Sequence, residues 1–491
     1  MGLIIAVFIF VIGLFVLTKS ASKIGVNRYL LLSGWILKLF CSVLFVSIFS
    51  LEGFDGTSIQ GDAYNFFYDS GILADYAQVD FWGYLKLLFG FHDNEAQLAI
   101  TELAKTNIWS YGNNGDLIND NRLIIRINSV IHLFSFGNIY VHILIFSGLA
   151  YAGLILIYKA FLPFVPNKNL FFIFLAAFPS IAFWGSGLTK EALTIFALGL
   201  SFYCFNRILF TKKSAGLIFG LIIGCLLLLF NKPYVGIILL PFLSLLILGQ
   251  RCNWKTVLIP LWLTGILCGI IIFSYAPEKI NFVTKLSNRQ QDMVNLGKGG
   301  LFFVTDTTFC AFEYKYFDHF DTLPDNKIKV LKETQGECKL FGRNPFYPFT
   351  ISASENQYER YLVQKPSRTY IDVTPIDNSG IQLVKIIPES LHNTFLKPFP
   401  NKELGFYSVI LFAMNLILII LVILSIYFRK KLTEKEKYLI SFLVSASLLL
   451  LLVIGWTTPV IGAMVRYKVP AEILILIAVS ILIKPLKKTV Q

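Results

Sequence analysis

Residues 405–428, GFYSVILFAMNLILIILVILSIYF, run for 24 positions without a charged side chain. A helix needs about 20 apolar residues to cross the hydrocarbon core of a bilayer, so this stretch predicts a transmembrane helix. The whole chain has the same character, because 55% of its 491 residues are apolar and only 15% are charged. A soluble domain carries about 25% charged residues, and the composition therefore predicts an all-α polytopic membrane protein.

Apolar stretches of this kind recur along the whole chain. They predict about 11 transmembrane helices, at residues 2–18, 29–50, 139–158, 170–185, 190–206, 215–230, 234–249, 257–276, 405–428, 438–457 and 467–483. The first stretch has neither the basic start nor the small-residue cleavage site of a signal peptide, so we interpret it as a helix.

Basic residues in the connecting segments predict how the chain is oriented. If the spans alternate, segments on one side hold 18 Lys and Arg residues against two acids, Glu434 and Glu436. The positive-inside rule makes this side cytoplasmic, which places the C-terminus inside and the N-terminus outside. The net charge of +13 is then mostly an orientation signal spread over short turns, and we expect no nucleic-acid partner.

Two long segments fall on the opposite, extracytoplasmic side and divide the chain into five parts. In segment 51–138, GDAYNFFYDSGILADYAQ, FWGYLKLLFGF and NEAQLAITELAKTNIW predict short interfacial helices. Segment 277–404, with GLFFVTDTTF and RTYIDVTPI as candidate strands, predicts a small mixed α/β domain. The remaining parts are the first two helices in 1–50, helices three to eight in 139–276 and the last three in 405–491.

The extracytoplasmic domain carries two cysteines, Cys310 and Cys338. An oxidising compartment favours a disulfide between them, although their separation in sequence leaves free thiols as the alternative. No CxxC or HExxH pattern occurs anywhere in the chain, so no zinc site is expected.

Asp62 follows Gly61 in GDAYNFFYDSG, at the start of a predicted interfacial helix. Two interpretations fit this position. The carboxylate can cap the free N–H groups of the helix, or it can act as a general base just above the membrane surface. Asp69 lies seven residues further on and shares the same helical face, which makes it a candidate supporting acid.

Lys190 and Glu191 stand side by side in GLTKEALTIF, residues 187–196, between two apolar stretches. Thr189 can cap the helix that follows, Glu191 suits its positive end, and Lys190 can reach the lipid headgroups. Burying a charge at mid-membrane costs about 2.5–3.5 kcal/mol on insertion scales, so charges kept at a helix end usually face a cavity or a partner. We therefore expect this pair to open onto a polar chamber.

Three further cations lie in short connections on the extracytoplasmic side. Lys232 is in LLLFNKPYVG, and Arg466 and Lys468 are in TTPVIGAMVRYKVP. Arg can grip a phosphate with two N–H donors and Lys supplies a point charge, so all three, with Lys190, are candidate ligands for a lipid phosphate. Simple membrane anchoring is the alternative for one or two of them. Lys38, inside the second span, receives no role.

Carboxylates and cations on one face suit glycosyl transfer from a polyprenyl-phosphate donor. The acids can deprotonate a hydroxyl or hold a divalent metal, and the cations can stabilise a phosphate leaving group. An early Asp in a large first outer loop, a second acid in the next short outer turn and the late RYKVP at 466–470 resemble the GT-C integral-membrane glycosyltransferases, such as protein O-mannosyltransferases and aminoarabinose transferases.

This resemblance implies a GT-C-like fold and specific roles for the charged residues. Asp62 would be the catalytic first-loop acid and Glu191 the second-loop acid, and the external Lys and Arg residues would contact the carrier phosphate. Some members use Mg²⁺ or Mn²⁺, for which Asp62 and Glu191 would be the ligands. The composition, rich in Ile, Phe, Lys and Asn, suits a bacterial inner membrane and a role in surface polysaccharide or glycoconjugate assembly.

Three other functions stay open. A polymerase of lipid-linked repeat units would also need cations and a large loop on the outer face, but it would rely on Arg and His more than on Asp62. A transporter of lipids or lipid-linked oligosaccharides would place its charges near mid-membrane and show internal repeats. An assembly or anchoring protein without enzymatic activity predicts no clustering of the charges.

Overall fold

A computed structural model of the chain provides its fold. It describes residues 1–52, 61–91, 103–109, 120–210, 214–251, 261, 264–266, 268–269, 281–304, 308–323, 327–340, 346–359, 361–377, 379–400 and 405–485. The span predicted at 257–276 and the start of the amphipathic stretch at 94–109 lie almost entirely outside these residues.

Helices dominate the described part of the chain. In chain order they are α1 Gly2–Ile24, α2 Arg28–Glu52, α3 Asp62–Val79, α4 Phe81–Leu88, α5 Asp120–Ser135, α6 Ile139–Phe161, α7 Lys168–Ala177, α8 Pro179–Trp184, α9 Lys190–Phe210, α10 Ala215–Asn231, α11 Pro233–Arg251, α12 Phe282–Lys298, α13 Gly380–Lys385, α14 Ile387–Phe395, α15 Gly405–Tyr427, α16 Glu434–Thr457, α17 Ile461–Tyr467 and α18 Val469–Leu482.

Six of these helices are long and apolar enough to cross a bilayer, which makes the chain a polytopic membrane protein. Their spanning parts are Gly2–Ile24, Arg28–Ile48, Ile139–Phe164, Lys190–Phe210, Gly405–Tyr427 and Glu434–Thr457. Four further predicted spans correspond to shorter apolar helices in the described residues, at Lys168–Ala177, Ala215–Asn231, Pro233–Ser244 and Val469–Leu482.

The span predicted at 170–185 is two helices and not one. Helix α7 ends at Ala177, and Phe178 then adopts an extended conformation before Pro179 begins α8. Proline disfavours helical geometry in the residue that precedes it and has no N–H to donate, which accounts for the break. The short α8 then leads the chain toward Lys190 and Glu191.

Close packing of α6 against α9 fixes the position of this charged helix start. Glycines face each other at the crossing, where a Cβ on Gly153 would meet Ile195 O at 2.5 Å. A Cβ on Gly199 would collide with the Gly153 backbone. Small residues that let two backbones approach in this way are typical of helix contacts in membranes.

The described part of residues 282–364 builds the small domain, and there α12 precedes eight antiparallel strands. The strands are β1 Gly300–Val304, β2 Thr308–Glu313, β3 Phe320–Leu323, β4 Lys327–Val330, β5 Thr334–Leu340, β6 Tyr347–Ile351, β7 Ser354–Glu359 and β8 Tyr361–Gln364. One sheet has the order β6-β5-β2-β1-β8 and the other β3-β4-β7. The described residues of the candidate strand GLFFVTDTTF lie in β1 and β2. RTYIDVTPI begins in a turn and forms no strand, and of its residues only Tyr370 forms a bridge, with Val460.

Cys310 and Cys338 are directly opposite each other on β2 and β5 and form a disulfide. Both side chains contribute to the domain core, together with Leu301, Phe303 and Phe312. The sequence left this pairing open, because the register that places the two residues face to face comes from strand pairing between distant segments.

Candidate functional site

Charged residues from four distant segments meet where several membrane helices begin or end. Asp62 is the first residue of α3, Lys190 and Glu191 begin α9, Lys232 separates α10 from α11, and Arg466 lies in the last turn of α17. We call these five residues, together with Asp120 at the start of α5, the charged cluster. The sequence predicted that all of them except Asp120 would lie together.

Arg466 is the centre of the charged cluster. Its Nη2 donates to Asp62 Oδ2 at 2.6 Å, and its Nε lies 3.4 Å from Glu191 Oε1. The guanidinium also lies over the Tyr467 ring, 5.1 Å from the centroid. Arg466 thus bridges two carboxylates that are 129 positions apart in sequence, one half exposed and the other buried.

Glu191 and Lys232 form the buried part of the cluster. Lys232 Nζ donates to Glu191 Oε1 at 2.5 Å, and the two side chains are only 3% and 1% exposed. Lys232 also lies over the ring of Tyr467, with 4.7 Å between its Nζ and the centroid. Desolvation makes such a pair costly, so its retention is more readily explained by function than by stability.

Asn231 holds the buried pair in place. Its Nδ2 donates to Lys190 O at 2.7 Å and to Thr194 Oγ1 at 2.8 Å, which ties the end of α10 to the first turn of α9. Glu191 Oε2 is buried and has no hydrogen-bond partner among the described residues. A buried carboxylate oxygen of this kind can accept a hydrogen bond from water or from a ligand.

Lys190 and Asp120 form the outer part of the cluster. Their Nζ and Oδ2 atoms are 2.7 Å apart, and the side chains are 14% and 40% exposed. Arg289 of α12 lies close enough for its charge to act on Lys190. Three acids and three cations balance within the charged cluster, and Arg289 adds a positive charge at its edge.

The ionisation of the exposed part follows from these contacts. Surrounding protein raises the pKa of Asp62, but the charge and hydrogen bond of Arg466, helped by Lys190 and Lys232, outweigh this and lower the pKa below its usual value. Burial disfavours the charged form of Arg466, but Glu191 and Asp62 raise its pKa well above the usual value. At neutral pH Asp62 is therefore a carboxylate and Arg466 a guanidinium.

Asp69 shares a helix with Asp62 but lies outside the charged cluster. Its carboxylate is fully buried and accepts hydrogen bonds from the backbone N–H groups of Asn107, Ile108 and Trp109 at 2.7, 2.9 and 2.9 Å. Burial raises the pKa of Asp69, and the three hydrogen bonds only partly oppose this. These contacts anchor residues 107–109 on α3. Asp69, the predicted supporting acid, therefore has a structural role here.

Lys468 is only two residues from Arg466 but points into a separate polar contact. Its Nζ contacts Asn415 Oδ1, lies 3.6 Å from Glu472 Oε1 and donates to Thr394 O at 3.4 Å. The side chain is about 4% exposed. The structure does not bring Lys468 together with the other candidate phosphate ligands.

Lys38 also has defined partners. Its Nζ donates to Ile181 O at 3.1 Å and to Ala182 O at 3.2 Å, and the side chain is buried. These carbonyls belong to the last turn of α8, where a cation is favourable because the C=O groups at the end of a helix carry partial negative charge. Lys38 therefore holds the short helix that precedes the charged cluster.

The acids of the cluster do not fit a divalent metal in this arrangement. Arg466 lies between Asp62 and Glu191, where a shared ion would bind, and Lys232 takes one Glu191 oxygen. In the part of the chain that the structure describes, no three His, Cys, Asp or Glu side chains are grouped for metal binding. We therefore derive no step through Mg²⁺ or Mn²⁺.

Sequence reasoning missed three contributors to the site. Asp120 and Arg289 carry no motif, and Tyr467 lies within RYKVP at 466–470 but received no role of its own. Asp120 offered a signal, as an acid at the start of an amphipathic helix. Comparisons with protein-family models, with curated proteins and with solved structures find no match to this chain.

Proposed function

We propose that this chain is a membrane glycosyltransferase. It transfers a sugar from a polyprenyl-phosphate-linked donor to an acceptor, at the extracytoplasmic face of a bacterial inner membrane, in the assembly of surface polysaccharide or glycoconjugate. The observation that carries the proposal is the convergence of Asp62, Arg466, Glu191 and Lys232 on one site beside apolar helices. The GT-C-like layout and the eleven spans expected from the sequence belong to the same proposal.

The donor phosphate binds at the partly exposed cations of the site. Arg466 is 18% exposed and its guanidinium can offer N–H donors to phosphate oxygens, with Lys190 beside it. The positive charge of Arg289 at the edge of the cluster favours an incoming anion. The prenyl chain of the donor lies against the apolar surface of the neighbouring helices.

Asp62 acts as the general base in this proposal. The acceptor hydroxyl oxygen attacks the anomeric carbon, the bond from that carbon to the phosphate oxygen breaks, and its electron pair leaves with polyprenyl phosphate. The hydroxyl proton passes to Asp62, which is half exposed and therefore within reach of an acceptor. When the phosphate engages Arg466, the contact that lowers the pKa of Asp62 weakens and the carboxylate becomes a stronger base.

Glu191 is a positioning residue, because a side chain that is 1% exposed has little access to the reacting atoms. Its carboxylate holds Lys232 and the Nε edge of Arg466, which leaves the other edge of the guanidinium facing Asp62 and the donor. Preorganised cations of this kind stabilise the charge that develops on a leaving phosphate.

Replacement of Arg466 by Lys tests the phosphate contact. A Lys keeps the charge but loses the planar pair of N–H donors, so we expect donor affinity to fall about tenfold, equivalent to about 1.4 kcal/mol. The measurement is the KM for a polyprenyl-phosphate sugar in proteoliposomes, with native mass spectrometry of the co-purified lipid.

Lys468→Met is the matched control for this experiment. It removes a cation two positions away that has no place in the charged cluster, so donor KM and bound lipid should match the wild type in the folded fraction, although stability should fall because buried Glu472 loses its counter-charge. An Arg466→Lys variant with an unchanged donor KM would remove Arg466 from the phosphate site. A donor effect confined to Lys468→Met would transfer the phosphate contact to that residue.

Polymerisation of lipid-linked repeat units is the second candidate. The observation that favours it is the set of cations gathered around Arg466, with Lys190, Lys232 and Arg289. It requires the same phosphate contact but transfers a whole oligosaccharide in each step. The mass of the transferred unit therefore separates the two functions.

A further inference from the structure

A cavity of about 690 Å³ lies in the small domain, outside the charged cluster. Helix α12 forms one wall, the strands β1, β2 and β5 form another, and the segment around Tyr370 closes a third side. This volume lies within the range typical of small-molecule sites, about 300–1,000 Å³. The proposed sugar-transfer mechanism uses none of its residues.

The lining of this cavity combines planar polar groups with aromatic rings. Gln291 and Asn295 contribute amides, Glu337 and Asp372 contribute carboxylates, and Tyr316 and Tyr370 contribute rings. Amides and carboxylates match the paired hydroxyls of a sugar, which both donate and accept hydrogen bonds. An aromatic ring offers its face to the C–H surface of a pyranose, while a tyrosine also offers a hydroxyl.

One polar group in the cavity lacks a protein partner. Asn295 Nδ2 is buried and forms no hydrogen bond within the described residues. Across the cavity, Gln291 Nε2 donates to Glu337 Oε2 at 2.6 Å, which fixes the carboxylate in one orientation. Glu337 on β5 is thus a fixed acceptor, and Asn295 on α12 has a donor that no described residue uses; both residues line the cavity, and such groups suit a hydroxylated ligand.

The charge of the lining separates this ligand from the lipid phosphate. Of the acids that line the cavity, Glu313 is paired with Lys315 at 2.5 Å, while Glu337 and Asp372 share the lining with one cation, Lys298. The lining therefore keeps an excess of negative charge. A phosphate or a uronic acid is disfavoured there by like-charge repulsion. A neutral sugar, or one that carries an amino group, meets no such penalty.

Short connections join the cavity walls to the helix that carries Arg466. Ile371 N donates to Pro459 O at 2.8 Å, and Ile461 N donates to Thr369 O at 2.9 Å. Gln290 of α12 donates to Trp456 O at 2.8 Å and accepts from Ile376 N at 2.8 Å. The disulfide between β2 and β5 holds two of the lining strands together.

We propose that this cavity binds a neutral or amino-bearing oligosaccharide. We also infer that this oligosaccharide is the acceptor of the transferred sugar. That second step rests on the proposed sugar transfer, whereas the binding of a glycan in the cavity does not. An acceptor held here would be tied through residues 369–371 and 459–461 to α17, which ends beside the charged cluster.

The test is binding of the full-length protein in detergent to an oligosaccharide array of neutral, amino-sugar and uronic-acid glycans. Wild type should bind members of the first two classes and not the third. Asn295→Ala should weaken that binding at least tenfold, while the unfolding temperature stays at the wild-type value because no described residue hydrogen-bonds to the Nδ2 group that the variant removes. Unchanged binding in Asn295→Ala, or binding only of acidic glycans, would overturn the proposal.

Two further variants keep the result clear. Gln335→Ala removes an exposed side chain from the cavity lining and should also weaken glycan binding. This variant provides the test in case Asn295→Ala does not fold. Asp62→Asn should bind the same glycans as wild type even if it transfers no sugar, which separates failure of this inference from failure of the proposed function. If wild type bound no glycan, or bound members of a peptide array and no glycan, an oligosaccharide would be rejected as the occupant of the cavity.

Discussion

Replacement of Asp62 by Asn is expected to lower sugar transfer in proteoliposomes by a factor of about 10²–10⁴, the usual contribution of a general base. The amide keeps the shape of the side chain but cannot take the proton of the acceptor hydroxyl. Stability should change little, because Asp62 is half exposed and Arg466 keeps Glu191 as its second counter-charge. The measurement is the turnover rate, with unfolding temperature recorded for the same preparation.

Asp75→Asn is the matched control, since Asp75 lies on the exposed side of the same helix. Its transfer rate should equal that of wild type. An Asp62→Asn variant with full activity would show that Asp62 is not the base.

The pH dependence provides an independent check on Asp62. Its pKa in the free protein is lowered, so the carboxylate stays ionised at neutral pH and the acid limb of kcat/KM should lie below the ordinary Asp value of about 3.9. Removing the Arg466 guanidinium removes the main lowering influence, and the acid limb should then move to higher pH.

Glu191→Ala is expected to cost about 3–5 kcal/mol of stability, because it leaves Lys232 buried without its counter-charge. Arg466 loses one of its two carboxylates in the same variant. The measurement is the free energy of unfolding in detergent at pH 7, compared with wild type.

A double substitution distinguishes the structural from the functional effect. Glu191→Gln with Lys232→Met removes both charges and should recover most of the lost stability, since an apolar replacement of a buried ion pair is often neutral. Donor use should stay impaired in this variant, because Arg466 then keeps only Asp62 of the two carboxylates that orient it. If Glu191→Ala were as stable as wild type, or if the double variant regained full donor affinity, the buried pair would not have the role given to it.

The sequence predicted the charged cluster better than it predicted the contacts inside it. Charges at the ends of apolar helices are costly unless partners satisfy them, which is why Asp62, Glu191, Lys190, Lys232 and Arg466 could be grouped in advance. Which acid pairs with which cation depends on helix packing. The same rule also selected Lys468, whose partner Glu472 is one helical turn along α18 and satisfies it locally.

The fold was predicted where hydropathy alone decides it. The long spans agree with the apolar stretches, whereas Pro179 divides a stretch that hydropathy reads as continuous. The contributions of Asp120 and Arg289 could not be predicted, because each depends on how an extramembrane helix lies against the bundle. The pairing of Cys310 with Cys338 likewise depends on the β2–β5 register.

The most direct test of the central claim is to identify the products that the purified protein forms in proteoliposomes from a polyprenyl-phosphate sugar and a glycan acceptor. We expect one polyprenyl phosphate to be released for each sugar residue added to the acceptor, and both products to be lost in Asp62→Asn. Release of the carrier without sugar transfer, transfer that Asp62→Asn preserves, or no reaction with any polyprenyl-phosphate sugar would contradict it.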